Sequence, residues 1–91
     1  MQQQQAEILA LRALGYLANH EEFMARFTAL SGVAPTDILE RADDADMLAG
    51  VLDFFLGDEK LLIAFCESEQ IAQTLPAQAR QILPGAIMDG Q

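Results

Sequence analysis

The stretch from Asp44 to Gln70 constrains the fold of this chain more than any other part of it. Its sequence, DADMLAGVLDFFLGDEKLLIAFCESEQ, has the pattern of two helices that meet at Gly57-Asp58. On the first helix, apolar side chains cover more than half of the circumference at about 100° per residue: Met47, Leu48, Val51, Leu52, Phe54, Phe55 and Leu56. A helix with so little polar surface needs neighbours on several sides. We therefore expect this αα-hairpin, 44–70, to lie at the centre of the core.

Four further helices are predicted around the hairpin, at about Ala6–Ala18, 21–31, Pro35–Ala42 and from Pro76 to just before Pro84. Asn19 is the predicted N-cap of the second of these helices, Gly32 its C-terminal left-handed residue, and Pro35 the first residue of the third. The predicted inward-facing side chains are Ile8, Ala10, Leu11, Leu14, Leu17 and Ala18, then Phe23, Met24, Phe27 and Leu30, then Ile38 and Leu39, and finally Ala79, Ile82 and Leu83.

No stretch alternates polar and apolar residues over the length of a strand, so the sequence predicts an all-α fold. We expect a compact orthogonal bundle of about six helices, two of them short. A chain of 91 residues has room for one core, so residues 6–85 form the predicted helical domain. Residues 1–5 are a polar lead-in, either frayed or an extra turn of the first helix, and 86–91 are a tail.

The net charge of −9 bears on the partners of the chain. A strongly acidic protein is repelled by nucleic-acid phosphates and by anionic membrane surfaces, so we expect neither as a partner.

No stretch approaches the roughly 20 apolar residues that a membrane span needs. The one cysteine, Cys66, excludes an intrachain disulfide, and we expect a cytoplasmic protein.

Candidate chemical groups are few. The acidic run Asp43-Asp44-Ala45-Asp46 lacks the glycine and the glutamate of a calcium loop, so a helix cap is favoured over a metal site. His20 has no nucleophile or second histidine placed beside it by a motif, and Cys66 lies in an apolar register with no basic residue after it. We predict no catalytic, cofactor-binding or metal-binding residues, and therefore no enzyme.

Glu69 disturbs the apolar stripe of its helix. Either the helix has frayed there and the side chain is exposed, or the carboxylate is paired with Arg80 or Arg12.

Residues 28–41 resemble a DNA-binding helix-turn-helix, with Gly32 in the turn and Ile38 as the inward residue of the second helix. Arg41 stands where that motif has an apolar residue, and Thr28 where it has a small one. The second helix would expose Asp37 and Glu40, and no basic patch is available for phosphates. The sequence therefore disfavours DNA binding.

Several segments together resemble a family of small bacterial proteins known as a domain of unknown function. They are the first helix from Ala6-Glu7 to Leu17, residues 27–32 with Asp37, and above all 51–56, Asp58-Glu59 and 61–65. The resemblance covers most of the range from 6 to 85 and implies an all-helical bacterial domain, with no activity or site residues to transfer.

The predicted role is a small, acidic, non-enzymatic protein-interaction module, which a homodimer would also satisfy. The chain has more apolar side chains than a domain of this size easily buries. The residues left over from the predicted inward faces are Leu9, Tyr16, Leu56, Ile63, Ile87 and Met88. An exposed patch of these residues would mark a contact surface for a protein partner or a second copy.

Overall fold

A computed structural model describes residues 1–83 of the chain, and within that range the fold is all-α. The helices are α1 Gln3–Ala18, α2 Glu21–Ser31, α3 Pro35–Glu40, α4 Ala45–Leu56, α5 Glu59–Glu69 and α6 Leu75–Ile82. These six helices, with no strand among the described residues, confirm the predicted fold class. The polar lead-in supplies an extra helical turn, since α1 begins at Gln3. Ile87 and Met88 lie outside the described residues.

The junction between α4 and α5 has the predicted hairpin geometry. The Asp44 carboxylate accepts a hydrogen bond from the Asp46 amide at 2.9 Å and so caps α4. Gly57 ends α4, and the Asp58 carboxylate accepts a hydrogen bond from the Leu61 amide at 3.2 Å at the start of α5. At the junction itself, the Gly57 end and the Asp58 cap let α5 begin directly after α4.

The core is built on aromatic side chains of the hairpin. Phe55 and Phe65 are fully buried, with ring centroids 5.0 Å apart. Tyr16 of α1 meets both rings edge-on, at 6.1 and 5.6 Å. Phe54 is half-buried and packs against Phe27 of α2. The hairpin is therefore covered by the helices that precede it.

The predicted buried face of α1 is correct at Ala10, Leu14 and Leu17 and wrong at Ile8, Leu11 and Ala18. Leu9 is buried, whereas Ile8 and Leu11 remain 49% and 43% exposed. The buried arc instead contains Ala6, Leu9, Ala10, Ala13, Leu14 and Leu17. α1 packs against α6 and α4 on this arc. Ala6, Ala10 and Ala13 on this arc let neighbouring helices approach closely. The arc that contains them is therefore buried, while the larger Ile8 and Leu11 remain partly exposed.

The predicted helix ends need three corrections. Asn19 does not cap α2; it ends α1, and its side-chain amide donates a hydrogen bond to the Gly15 carbonyl at 3.0 Å, which leaves His20 at the N-cap of α2. α3 ends at Glu40, and its single turn and a half buries Ile38 but leaves Leu39 55% exposed. α5 ends one residue earlier than predicted, with Gln70 left-handed at φ 59°.

Candidate functional site

An apolar groove lies between α2 and α4, and we call it the α2–α4 groove. It encloses about 440 Å³ and is lined by Phe27, Leu30, Ser31, Val33, Arg41, Asp46, Met47, Gly50, Asp53 and Phe54. The α4 residues recur every three to four positions from 46 to 54, so one face of that helix forms a wall of about 12 Å.

Aromatic and aliphatic groups form the interior of the α2–α4 groove. The rings of Phe27 and Phe54 meet edge-to-face, with centroids 5.3 Å apart. Met47 is buried beside them, and Val33 is half-buried on the loop that follows α2. Leu30 stands at the mouth with 77% of its surface exposed. Leu30 therefore extends the apolar lining of the groove to its exposed edge.

Leu30 is a second correction to the predicted inward faces. Met24 and Phe27 are buried and Phe23 is half-buried, as the stripe on α2 predicts. Leu30 follows the same spacing but lies in the last turn of α2, where no helix covers it. Periodicity predicts which face a residue lies on, and it carries no information about where the neighbouring helix stops.

Charged side chains border the groove in pairs. The Arg41 guanidinium donates to the Asp44 carboxylate at 3.2 Å, and Arg80 of α6 donates to Asp53 at 2.7 Å. Asp46 is exposed in the first turn of α4. The amide of Asp46 and, after it, Arg41 hold the pKa of the Asp44 carboxyl below its ordinary value. The three charged lining residues, Arg41, Asp46 and Asp53, leave the groove with one net negative charge.

Arg26 connects the back of the groove to the hairpin junction. Its guanidinium lies 5.7 Å from the ring centroids of both Phe23 and Phe54, and it donates to the Asp58 carboxylate at 2.8 Å. This hydrogen bond, with the one from the Leu61 amide, lowers the pKa of Asp58. The same arginine therefore fixes a ring of the groove and the cap of α5.

A second groove lies between α1 and the chain from 71 to 78. It encloses about 460 Å³ and is lined by Met1, Gln5, Ile8, Leu9, Arg12, Ile71, Leu75 and Gln78. Arg12 pairs there with Glu69 at 2.8 Å, and both side chains are partly exposed. Of the alternatives that the sequence left open for Glu69, the structure shows a partly exposed carboxylate paired with Arg12, while Arg80 binds Asp53.

The two other single candidates from the sequence have local partners. His20 is exposed; its Nδ1 lies 2.6 Å from the Tyr16 carbonyl oxygen, and its ring stacks on the Tyr16 ring at 4.0 Å. Cys66 is buried, which raises the pKa of its thiol, and its Sγ lies 3.8 Å from the Ala72 carbonyl oxygen. Neither residue lines either groove.

The acidic run before α4 serves as a helix start. Asp44 is the N-cap and Asp46 lies in the first turn, where the helix dipole favours negative charge. Within residues 1–83, no group of three or more histidine, cysteine, aspartate or glutamate side chains is arranged to hold a metal ion.

The segment that resembles a helix-turn-helix forms α2, a turn with Gly32 left-handed at φ 74°, and α3. Its would-be recognition helix is only six residues long and carries Asp37 and Glu40 exposed. Two exposed carboxylates on the surface that would face DNA oppose contact with phosphates.

The leftover apolar residues are placed differently from the sequence expectation. Leu9 is buried, and Tyr16, Leu56 and Ile63 are half-buried. The large apolar side chains that the described chain does expose are Met1, Ile8, Leu11, Leu30 and Leu39. No sequence signal singled out this set, because four of its members lie on faces that the spacing predicts to be inward, and the fifth, Met1, lies in the polar lead-in that precedes α1.

A family model described as a protein of unknown function, DUF3572, matches residues 3–86, which is nearly the whole chain. The chain belongs to this family. The resemblance seen in the sequence, to a domain of unknown function, is thereby confirmed. The match spans every helix of this DUF3572 domain and all of the residues that line both grooves except Met1.

Comparison with curated proteins and with solved structures gave no match. Among the described residues of this DUF3572 domain, no helix combines the length and the apolar character needed to cross a bilayer.

Proposed function

We propose that this DUF3572 domain is a small, acidic, non-enzymatic, cytoplasmic protein-interaction module, and that the α2–α4 groove is its binding surface. The observation that carries the proposal is Leu30, 77% exposed at the mouth of a groove lined by Phe27, Met47 and Phe54. Exposing such a side chain to water is unfavourable, and a partner that covers it recovers its burial free energy, about 1.5–3 kcal/mol for a leucine.

The shape of the groove fits one helical segment of a partner. The wall formed by α4 is about 12 Å long, which matches roughly two turns of helix. A helix that binds in a groove presents apolar residues at spacings of three and four, and Met47 provides an adaptable surface for them. The groove is open to solvent along Leu30, so the partner's opposite face stays in water.

The charge of the groove and of the whole chain favours a basic partner. Arg41 pairs with Asp44 and Arg80 with Asp53 on the border, so Asp46 leaves it with one net negative charge. With a net charge of −9, the domain attracts a segment rich in lysine or arginine before contact and repels an acidic one. The proposed ligand is therefore a basic amphipathic helix of another protein.

The test is photo-crosslinking in the cells that make the protein. A photoreactive amino acid replaces Leu30 in one variant and Leu39 in a matched control, since Leu39 is also exposed but does not line the groove. We expect the probe at position 30 to attach to an amphipathic segment with net positive charge, and the probe at position 39 to give little of that product. Equal products from both positions, or an acidic or unpatterned segment at position 30, would contradict the proposal.

The helix-turn-helix alternative is separated by one further measurement. DNA binding by α2 and α3 would give a mobility shift at low salt that weakens steeply as the salt concentration rises. The exposed Asp37 and Glu40 on α3 argue against it, and we expect no shift.

A further inference from the structure

α1 carries an apolar stripe on its solvent face that the α2–α4 groove does not use. Three of the five exposed large apolar residues, Met1, Ile8 and Leu11, lie on or immediately before this one helix. All other members of the stripe are exposed as well: Gln4, Gly15 and Ala18. The stripe lies opposite the buried arc that packs on α6 and α4. Met1 and Ile8 at its edge also line the second groove, and every member of the stripe remains exposed.

The spacing of this stripe is that of a two-helix seam. Positions 4, 8, 11, 15 and 18 of α1 follow each other at intervals of three and four residues, which are the a and d positions of a heptad repeat. With Ile8 at a and Leu11 at d, the central layers are apolar, and Gly15 and Ala18 allow close approach near the end. α1 is already a 16-residue helix in the folded protein. Pairing through this face therefore loses little backbone conformational entropy.

The charges beside the stripe complement a second copy of the same helix. In this register Glu7 occupies a g position and Arg12 the following e position, which face each other across a parallel helix pair. The two-fold axis makes the contact twice, Glu7 to Arg12 of the other copy and the reverse. Arg12 already binds one oxygen of Glu69, but a guanidinium has five N–H donors, so it can hold a second carboxylate.

From this spacing and charge we infer that the solvent face of α1 is a self-association surface, on which two copies pair their α1 helices in parallel. The surface is distinct from the α2–α4 groove, so a dimer leaves both grooves of that kind open to partners. The seam is about 24 Å long, close to the 27 Å middle dimension of the molecule. Because only two of its layers are strongly apolar, the dimer forms reversibly with concentration.

Sedimentation velocity over a range of protein concentrations tests the surface. We expect a monomer–dimer equilibrium whose association constant falls at least about tenfold in Leu11→Glu, since a carboxylate would be buried in the seam without a partner. Leu39→Glu is the matched control, because Leu39 is also an exposed leucine and lies on α3, and we expect no change. A monomer at every concentration, or a dimer that Leu39→Glu weakens as much as Leu11→Glu does, would overturn the inference.

Disulfide trapping tests the parallel register. Equivalent residues face each other in a parallel pair, so Leu11→Cys should cross-link to itself on mild oxidation, and Leu39→Cys should not. The native Cys66 is buried and stays unreactive. In an antiparallel pair residue 11 faces residue 8, so a product that forms only when Leu11→Cys is mixed with Ile8→Cys would overturn the parallel arrangement. Circular dichroism of each variant confirms that the helices are retained.

Discussion

Asp58 has two roles at the junction between α4 and α5. It caps α5 by accepting a hydrogen bond from the Leu61 amide, and it accepts another from Arg26 of α2. Asp44 has the equivalent position before α4, with the Asp46 amide and Arg41 as its donors. Both carboxylates therefore bind donors in the folded state that they lack in the unfolded chain, and the pKa of each is lowered.

These lowered pKa values predict that acid weakens the fold. Below the ordinary aspartate pKa, about 4, the unfolded chain takes up protons that folded Asp44 and Asp58 still resist, so the free energy of unfolding falls as the pH falls through that range. Urea unfolding at pH 6 and at pH 3 measures the loss. Asp58→Asn keeps an acceptor for the cap but removes the charge, so its stability should fall less between the two values than that of the parent.

The matched control for Asp58→Asn is Asp43→Asn, which removes an exposed carboxylate that caps neither helix. It changes the net charge by the same amount, and so isolates the cap from the general effect of charge. An equal loss of unfolding free energy between pH 6 and pH 3 in the two variants would show that the cap at Asp58 does not cause the pH dependence.

At the scale of the helix, much of the fold was predictable because its signals are local. A cap at Asp43 or Asp44, the helix junction at Gly57-Asp58, Gly32 as a left-handed end and Pro35 as a first residue all depend on a few neighbouring residues. The buried arc of α1 and the exposure of Leu30 and Leu39 depend on where other helices lie and end. That information is not local, so the groove that Leu30 borders could not be predicted from spacing.

Two glycines should respond with opposite sign to the same substitution. Gly32 is left-handed, so Gly32→Ala should lower the free energy of unfolding by about 1 kcal/mol. Gly15 lies inside α1 with helical geometry, so Gly15→Ala should raise it by about 0.5–1 kcal/mol. At neither position would the added methyl group meet an atom within 4 Å, so only backbone preference differs.

Urea unfolding of both glycine variants at low protein concentration, where the chain is monomeric, measures the two effects. Changes of the same sign would show that the backbone geometry at Gly32 does not control its stability.

The chain contains one cysteine, Cys66, and the rate at which a reagent modifies its thiol measures how often the core opens. Cys66 is buried among the side chains that hold α5, and burial raises the pKa of its thiol, which disfavours the reactive thiolate. A thiol reagent should therefore modify the folded protein at least about a thousandfold more slowly than the urea-unfolded chain, as a stability of about 5 kcal/mol implies. Rapid modification without urea would show that α5 opens independently of the rest.

The packing of α1 on α6 has a consequence for how the chain is made. A ribosome delivers α1 well before α6, because the other described helices lie between them in the sequence. Until α6 has left the exit tunnel, Leu9, Ala13 and Leu17 lack part of their final cover. α1 therefore gains its full cover only after α6 has been synthesised, and a truncation within α6 would leave part of the buried face of α1 exposed.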